Sequence, residues 1–257
     1  MASSPRPRLQ NKILSTLAYF DRYDYPLTKT ELEYWSGVTA PSPRKYYFLP
    51  GRSSLVKLRQ VREKISQQKW QIARQVGEKL KKIPTIAAVF VTGALAMNNA
   101  PVDDDIDLMI VTYPNALWPT RFWVNLYLHQ TRRYPGQTSA PDKICPNLWL
   151  DLNHLMTCIH NRSLYTAHEI LQAKVLWDRA NVHARFLGQN SWVQEYLPNA
   201  YRGSFPTRAQ RVQDAIPFGL LLWPINLLFF IAQYLYMLPK KTTERVGLGY
   251  AFFHPRG

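Results

Sequence analysis

Four aspartates lie close together in a chain whose formal net charge is +15 at pH 7: Asp103, Asp104 and Asp105 in a row, followed by Asp107. Carboxylates this close repel one another, so they need either open water or a cation between them. If "DIDLMIV" is a β-strand, Asp105 and Asp107 share one face, with side chains about 6 to 7 Å apart. Two carboxylates at that spacing can hold one divalent ion or a close metal pair, and oxygen ligands suit Mg²⁺. The pattern predicts a Mg²⁺ site on Asp105 and Asp107, with a solvated acidic loop as the alternative.

The residues just before this acidic run predict a phosphate contact. "TIAAVFVT" is typical of a buried strand, and Gly93 at its end is followed by "ALAMNN", which can form a short helix. A glycine at a strand end lets backbone amides approach an anion, and a helix N-terminus favours phosphate. We therefore expect phosphate binding at Gly93 on an element adjacent to the metal site.

Strands and helices alternate from residue 84 to residue 155. "TIAAVFVT", "DIDLMIVT" and "ICPNLWLDLN" are predicted strands, and "LWPTRFWVNLYLHQTRRY" is a predicted helix with a basic end. Two further helices, "LYTAHEILQAKVLWD" and "ARFLGQNSWVQEYL", are predicted within residues 156–215. The alternation predicts a small core of strands and helices over 84–155 that further helices flank.

Residues 1–52 predict two short helices followed by the extended "KYYFLPG". Thr28 and Glu31 have the spacing of a capping box at the start of the second helix. This order is similar to the beginning and the wing of a winged-helix module. Only "SGVTAPSPR" stands where a DNA-reading helix should lie, so a truncated packing module is favoured over a groove-reading one.

Residues 53–83 predict one long linker helix, because apolar residues recur at spacings near 3.6. The opposite face is basic and carries Lys57, Arg59, Arg62, Lys64, Lys69, Arg74, Lys79, Lys81 and Lys82. Only Glu63 and Glu78 offset this charge. The face is either a solvated helix surface or, over 53–82, a surface that contacts nucleic-acid phosphates.

Residues 216–238, "IPFGLLLWPINLLFFIAQYLYML", contain no charged residue. About 20 such residues can span a bilayer. Pro217, Pro224, Asn226 and Gln233 interrupt the apolar run, and a globular protein could bury the segment as a core helix. Membrane insertion, association with a membrane surface and burial in a core are therefore all open, and residues 239–257 follow as a tail.

The overall charge points to anionic partners. Thirty-two Lys and Arg residues face seventeen Asp and Glu residues, which fits nucleotide phosphates, nucleic acid or an acidic lipid surface. Two cysteines are too few for a disulfide framework, which favours a reducing compartment. The first residues lack the apolar run of a secretory signal. We expect a cytoplasmic protein, either free or attached to the inner face of the cell membrane.

The stretch "TGALAMNNAPVDDDIDLMIV" resembles the signature of the polymerase-β-like nucleotidyltransferase superfamily, and of its minimal bacterial members in particular. A looser similarity extends over most of the chain. The resemblance implies an α+β fold with a small mixed sheet and helices on one side. It also implies two-metal transfer of a nucleoside monophosphate from a nucleoside triphosphate (NTP) to an acceptor, with release of pyrophosphate. Asp105 and Asp107 would hold Mg²⁺, and Gly93 and Ala94 would contact the triphosphate.

Two departures from the family pattern matter. Ala94 stands where the family usually has Ser, so one hydroxyl contact to phosphate is missing. The family also has a third carboxylate on a later strand, where this chain has Asn147, followed on the same strand face by Asp151. Asn cannot act as a base at neutral pH, so we expect Asp151 to complete the catalytic set.

The sequence is compatible with three functions from different classes. The first is the nucleotidyltransferase, whose acceptor could be a protein, an RNA end or a small molecule. The second is an inactive module that binds nucleotide or nucleic acid. The third is a membrane-associated scaffold held by residues 216–238.

Overall fold

A computed structural model describes residues 5–41, 44–134, 137, 139–156, 162–206, 219–240 and 243–253. Within these ranges the helices are α1 (Pro5–Asp21), α2 (Lys29–Ser36), α3 (Leu55–Leu80), α4 (Gly93–Ala96), α5 (Leu117–Tyr127), α6 (Leu164–Gln172), α7 (Val182–Gln189), α8 (Pro198–Ser204) and α9 (Gly219–Met237). The strands are β1 (Ile86–Val91), β2 (Ile106–Thr112), β3 (Ile144–Asp151), β4 (Lys174–Asp178), β5 (Arg245–Gly247) and β6 (Tyr250–Phe252). Short 3₁₀ turns cover Ser191–Glu195 and Leu238–Lys240.

The strands form one six-stranded mixed sheet in the order β4-β1-β2-β3-β6-β5. β2 and β3 are parallel, and the other neighbouring pairs are antiparallel. β1 lies inside the sheet and is buried along its whole length, as its apolar sequence predicts. The predicted α+β class with a mixed sheet is therefore confirmed.

Helices cover both faces of this sheet, whereas the family resemblance implied helices on one side. On the first face, Phe90 and Met109 pack with residues of α1, α2 and α6–α8, such as Phe20 and Phe186. On the second face, Val89 and Ile110 join a separate apolar core formed with α3, α5 and α9. Side chains alternate along β2, so Asp107 projects toward the first face together with Met109.

The N-terminal segment is tied into this first face. Thr28 caps α2, and the Glu31 side chain accepts from the Thr28 backbone N–H at 2.7 Å, so the predicted capping box is present. Asn199 of α8 donates its side-chain amide to the carbonyls of Glu33 and Tyr34 at the end of α2. The described residues of this N-terminal segment thus pack on the same apolar core as the sheet.

The basic face of α3 is partly internal. Arg59 is 4% exposed, and its guanidinium donates to both Glu31 carboxylate oxygens, at 2.7 and 2.9 Å. Lys69 is 1% exposed, and its Nζ donates to the Asp104 carbonyl at 2.7 Å and to Asp142 Oδ1 at 2.9 Å. Neither residue can reach a nucleic acid, because the N-terminal segment and the loop before β2 cover them. The prediction that this face is solvated or contacts phosphates is therefore wrong for Arg59 and Lys69.

Two predicted elements differ in the structure. "LYTAHEILQAKVLWD" is not one helix, since α6 ends at Gln172 and Lys174–Asp178 forms β4. β4 pairs antiparallel with β1, so sheet pairing overrides the helical pattern. The predicted tail contains the β5–β6 hairpin, which extends the sheet beside β3. Residues 207–218 and 254–257, within the predicted segments 156–215, 216–238 and 239–257, lie outside the described residues.

The apolar segment 216–238 contains α9, which packs along α5. The polar residues that interrupt it bond to α5: Asn226 Oδ1 accepts from the Trp118 backbone N–H at 2.9 Å, and Gln233 Nε2 donates to the Trp118 carbonyl at 2.8 Å. Over the described ranges, no helix combines the length and the apolar character needed to cross a membrane. A membrane span, one of the three possibilities that the sequence leaves open for 216–238, is therefore not supported over the described residues of this segment.

Candidate metal and phosphate site

Gly93 begins α4 directly after β1 and touches the acidic strand. The Thr92 backbone N–H donates to the Asp107 carbonyl at 3.0 Å, which fixes the turn against β2. Gly93 has a φ of +64°, in the left-handed region, and a Cβ there would lie 2.6 Å from Asp107 Oδ2. Only glycine meets both conditions. The structure therefore brings Gly93 and Asp107 together, and it places Ala94 in the same turn.

The two predicted metal carboxylates converge with a cysteine. Ligand atoms of Asp105, Asp107 and Cys145 all lie within 4.8 Å of one another. Cys145 lies beside the carboxylates because it pairs with Asp107 where the parallel strands β2 and β3 meet. Burial, and next the charge of Asp107, raise the pKa of the Cys145 thiol, so this residue stays neutral. The oxygen donors for a cation are Asp105 and Asp107, and such a pair fits Mg²⁺.

The charged form of Asp107 is disfavoured at this site. Burial, and next the neighbouring Asp105, raise the pKa of Asp107 well above its ordinary range. Arg133 Nη1 donates to Asp105 Oδ2 at 2.9 Å, and Asn147 Nδ2 donates to Asp107 Oδ1 at 2.6 Å. A proton on Asp107 and a cation between the two carboxylates are therefore alternatives. The donor set fits a divalent ion for this reason.

The structure does not bring Asp151 to this site. Asp151 pairs with Thr112, at the other end of β2 from Asp107. It lies six residues beyond Cys145, which corresponds to about 20 Å at about 3.3 Å per residue. Its Oδ1 accepts from the Asn153 backbone N–H at 2.9 Å and lies 2.7 Å from His154 Nδ1. Asn147 takes the position beside Asp107 instead.

A half-buried carboxylate that the sequence did not single out lies in the same cleft. Glu169 of α6 lines a cavity of about 320 Å³ together with Gly93, Asp107 and Asn147. Burial raises the pKa of Glu169 from an ordinary value of 4.5 to about 7. The only sequence signal is the spacing of Tyr165, Glu169 and Gln172, which places three polar groups on one face of α6.

Aromatic side chains form another wall of this cavity. Tyr19, Phe20, Tyr23 and Tyr25 all line it. The Tyr19 and Tyr23 ring centroids lie 5.5 Å apart, as side chains one helical turn apart can. Tyr19, Phe20 and Tyr25 are buried, whereas Tyr23 is 41% exposed. Tyr23 is therefore the ring of this wall on which a planar base can stack.

A second, more polar cavity of about 420 Å³ adjoins the first and shares Tyr23, Ala94, Asn99 and Asp104 with it. Asp105 lines this second cavity, together with three arginines: Arg22, Arg62 and Arg133. The two cavities together form one cleft, hereafter the acidic cleft. Its carboxylates lie between an arginine-lined half and an aromatic half.

Comparisons with known proteins add little. No protein-family model matches the chain, and no curated protein matches it. One solved structure with some similarity is described as "Crystal structure of the toxin-antitoxin with AMP-PNP". It is 14% identical, and the match covers 48% of this chain and 90% of that chain with a TM-score of 0.27. A TM-score this low carries no argument about fold or function, so the family resemblance stays a prediction.

Proposed function

We propose that the acidic cleft binds a nucleoside triphosphate together with Mg²⁺ and transfers its nucleoside monophosphate to an acceptor, with release of pyrophosphate. One observation carries this proposal: the carboxylates of Asp105 and Asp107 converge directly beside the Gly93 turn. A site for a divalent cation therefore adjoins backbone amides that can approach phosphate.

The residues around the carboxylates suit a triphosphate substrate. Mg²⁺ on Asp105 and Asp107 would neutralise charge on the phosphates and orient them. Arg22, Arg62 and Arg133 line the adjoining half of the cleft and can pair with phosphate oxygens. The exposed ring of Tyr23 in the other half suits the base of the nucleotide. The acceptor stays unidentified.

Glu169 replaces Asp151 as the proposed proton acceptor. A base is most effective when its pKa lies near the working pH, and the pKa of Glu169 is raised to about 7. In this role Glu169 takes the proton of the acceptor hydroxyl while the hydroxyl oxygen of the acceptor attacks the α-phosphorus. The bond between the α-phosphorus and the pyrophosphate then breaks, and pyrophosphate leaves with the electron pair.

The test is pyrophosphate release from each of the four NTPs in the presence of Mg²⁺. The double variant Asp105→Asn/Asp107→Asn should lose this release while the far-UV circular dichroism stays unchanged. Asp151→Asn is the matched control, because it removes one charge from β3 but keeps the oxygen that accepts from Asn153. Equal turnover by the wild type and the double variant would rule out the proposed metal site.

A second candidate function is nucleotide binding without transfer. The observation that favours it is Asn147, an amide that lies beside Asp107 where the family pattern has a third carboxylate. Under this alternative, Mg²⁺ and nucleotide bind but no NTP releases pyrophosphate with any acceptor. Nucleic-acid binding through residues 53–82 and a cytoplasmic or membrane-attached location stay predictions from sequence.

A further inference from the structure

A separate cavity of about 730 Å³ lies between α5, α9 and the end of β6. Most of its wall is apolar and aromatic, with side chains from Phe122, Phe229, Tyr236, Met237, Val246 and Phe253. A volume of this size is typical of sites for small organic ligands. None of the residues around it also lines the acidic cleft.

Two arginines, Arg121 and Arg132, stand in this largely apolar wall, which also contains Asn125, Gln233 and Glu244. The guanidinium carbon of Arg121 lies 4.2 Å from the centroid of the Phe253 ring. Arg121 Nη1 donates to Gln233 Oε1, and Arg121 Nη2 lies 3.9 Å from the Met237 sulfur. These contacts hold the guanidinium in place but do not neutralise it.

Arg121 lacks an anionic partner within the described ranges. Its Nε is buried and has no hydrogen-bond partner there. Neither Arg121 nor Arg132 forms an ion pair with a described carboxylate, although Glu244 also lines the cavity. Burial, and next the neighbouring Arg132, lower the pKa of Arg121 to about 9. A buried cation without a partner is costly, so an anion that enters this cavity gains more than one bound at the surface.

Arg132 and Arg133 separate the two sites. Arg133 donates a hydrogen bond to Asp105 in the acidic cleft, whereas the preceding residue, Arg132, lines the apolar cavity. Consecutive side chains in an extended segment point to opposite sides. The apolar cavity is therefore a distinct site, and the proposed nucleotide chemistry does not use it.

We propose that this cavity binds an anionic amphiphile, whose carboxylate or phosphate head pairs with Arg121 and Arg132 while its apolar body packs against the aromatic wall. The head would pair with the guanidinium of Arg121, which has no anionic partner among the described residues, and a charge-assisted bond of this kind is roughly twice as strong as a neutral one. An apolar body of about ten carbons fits the volume.

Isothermal titration calorimetry of the full chain tests this, with decanoate, decyl phosphate, decanol and inorganic phosphate as separate probes below their aggregation concentrations. Magnesium and nucleotide are left out, so the result does not depend on the acidic cleft. Decanoate, decyl phosphate or both should bind at least tenfold more tightly than decanol and than inorganic phosphate. Tighter binding of decanoate would indicate a fatty-acid ligand, and tighter binding of decyl phosphate would indicate a phospholipid-like ligand.

Variants then assign the head group. Arg121→Met should lower the preference for the anionic probes over decanol at least tenfold, whereas Arg121→Lys should keep most of it. Equal binding of decanol and the anionic probes by the wild type would overturn the proposal, and so would no binding of any probe. An unchanged preference in a folded Arg121→Met protein would overturn it as well.

Discussion

Gly93→Ala perturbs the point where the phosphate turn meets the metal carboxylates. Gly93 has a φ of +64°, and an added Cβ would lie 2.6 Å from Asp107 Oδ2. An L-residue in the left-handed region costs about 1–2 kcal/mol. For a chain of this size, each kcal/mol lowers Tm by about 2–4 °C, so the expected decrease is about 2–8 °C.

The second effect of Gly93→Ala is on the carboxylate. An ordinary contact begins at 3.4 Å, so the Asp107 carboxylate must retreat by about 0.8 Å or rotate away. Mg²⁺ demands near-ideal ligand geometry at about 2.0–2.1 Å. We therefore expect Mg²⁺-dependent nucleotide affinity to fall at least tenfold, or by about 1.4 kcal/mol.

Gly51→Ala is the matched control for this prediction. Gly51 has a φ of +82°, but an added Cβ there meets nothing within 4 Å. The same backbone strain should therefore lower Tm without any loss of nucleotide affinity. Both variants are measured by differential scanning calorimetry and by titration with a non-hydrolysable NTP analogue. If Gly93→Ala binds the analogue with Mg²⁺ as tightly as Gly51→Ala does, the inferred contact between the turn and the metal site is wrong.

Three further predictions concern Arg59, Glu169 and Asn147. Arg59→Met removes the cationic partner of Glu31, which keeps, among the described residues, only its bonds to Tyr25 and Thr28. It should lower the free energy of unfolding in urea by about 2–4 kcal/mol, while Lys57→Met on the exposed face changes it by about 0.5 kcal/mol or less. Because the folded pKa of Glu169 is raised from 4.5 to about 7, the folded state keeps a proton that the unfolded state loses. Glu169 therefore lowers stability by about 2–3 kcal/mol as the pH rises from about 4.5 to 7, and Glu169→Gln should be more stable than the wild type at pH 8 but not at pH 4. Asn147→Asp removes the donor to Asp107 and adds a third carboxylate, so Tm should fall without Mg²⁺ and rise more than that of the wild type when Mg²⁺ is added. A pH-independent difference for Glu169→Gln, or an Mg²⁺ response of Asn147→Asp no larger than that of the wild type, would contradict these arguments.

Local patterns were sufficient for the elements that carry the site. The apolar run before Gly93 and the alternation after Asp105 correspond to β1 and β2. The 3.6-residue period predicts α3, which spans Leu55–Leu80. These patterns arise from residues that are close together in the chain, so they can be recognised from the sequence without knowledge of the tertiary structure.

Pairing across the sheet could not be read from local patterns. Alternation places Asn147 and Asp151 on one face of a strand, but it does not say which of them lies beside Asp107. That depends on the parallel register of β2 with β3, which pairs Cys145 with Asp107. β4 was not predicted for the same reason. The residues "KVLWD" continue a helical pattern in the sequence, and they form a strand because they pair with β1.

Long-range packing decides the remaining differences. Glu169 enters the acidic cleft because α6 packs on the first face of the sheet, which no spacing near residue 169 reveals. Arg59 and Lys69 follow the polar period of α3, yet segments distant in sequence bury both. A charged residue on a predicted polar face is therefore not always a solvated one.

The most direct test of the central claim is calorimetric titration of a non-hydrolysable NTP analogue into the full chain, with and without Mg²⁺. The account predicts that the wild type binds the analogue more tightly with Mg²⁺ and that Asp105→Asn/Asp107→Asn loses this Mg²⁺-dependent gain, while Asp151→Asn keeps it. Binding that does not respond to Mg²⁺, or a double variant that responds as the wild type does, would contradict the account.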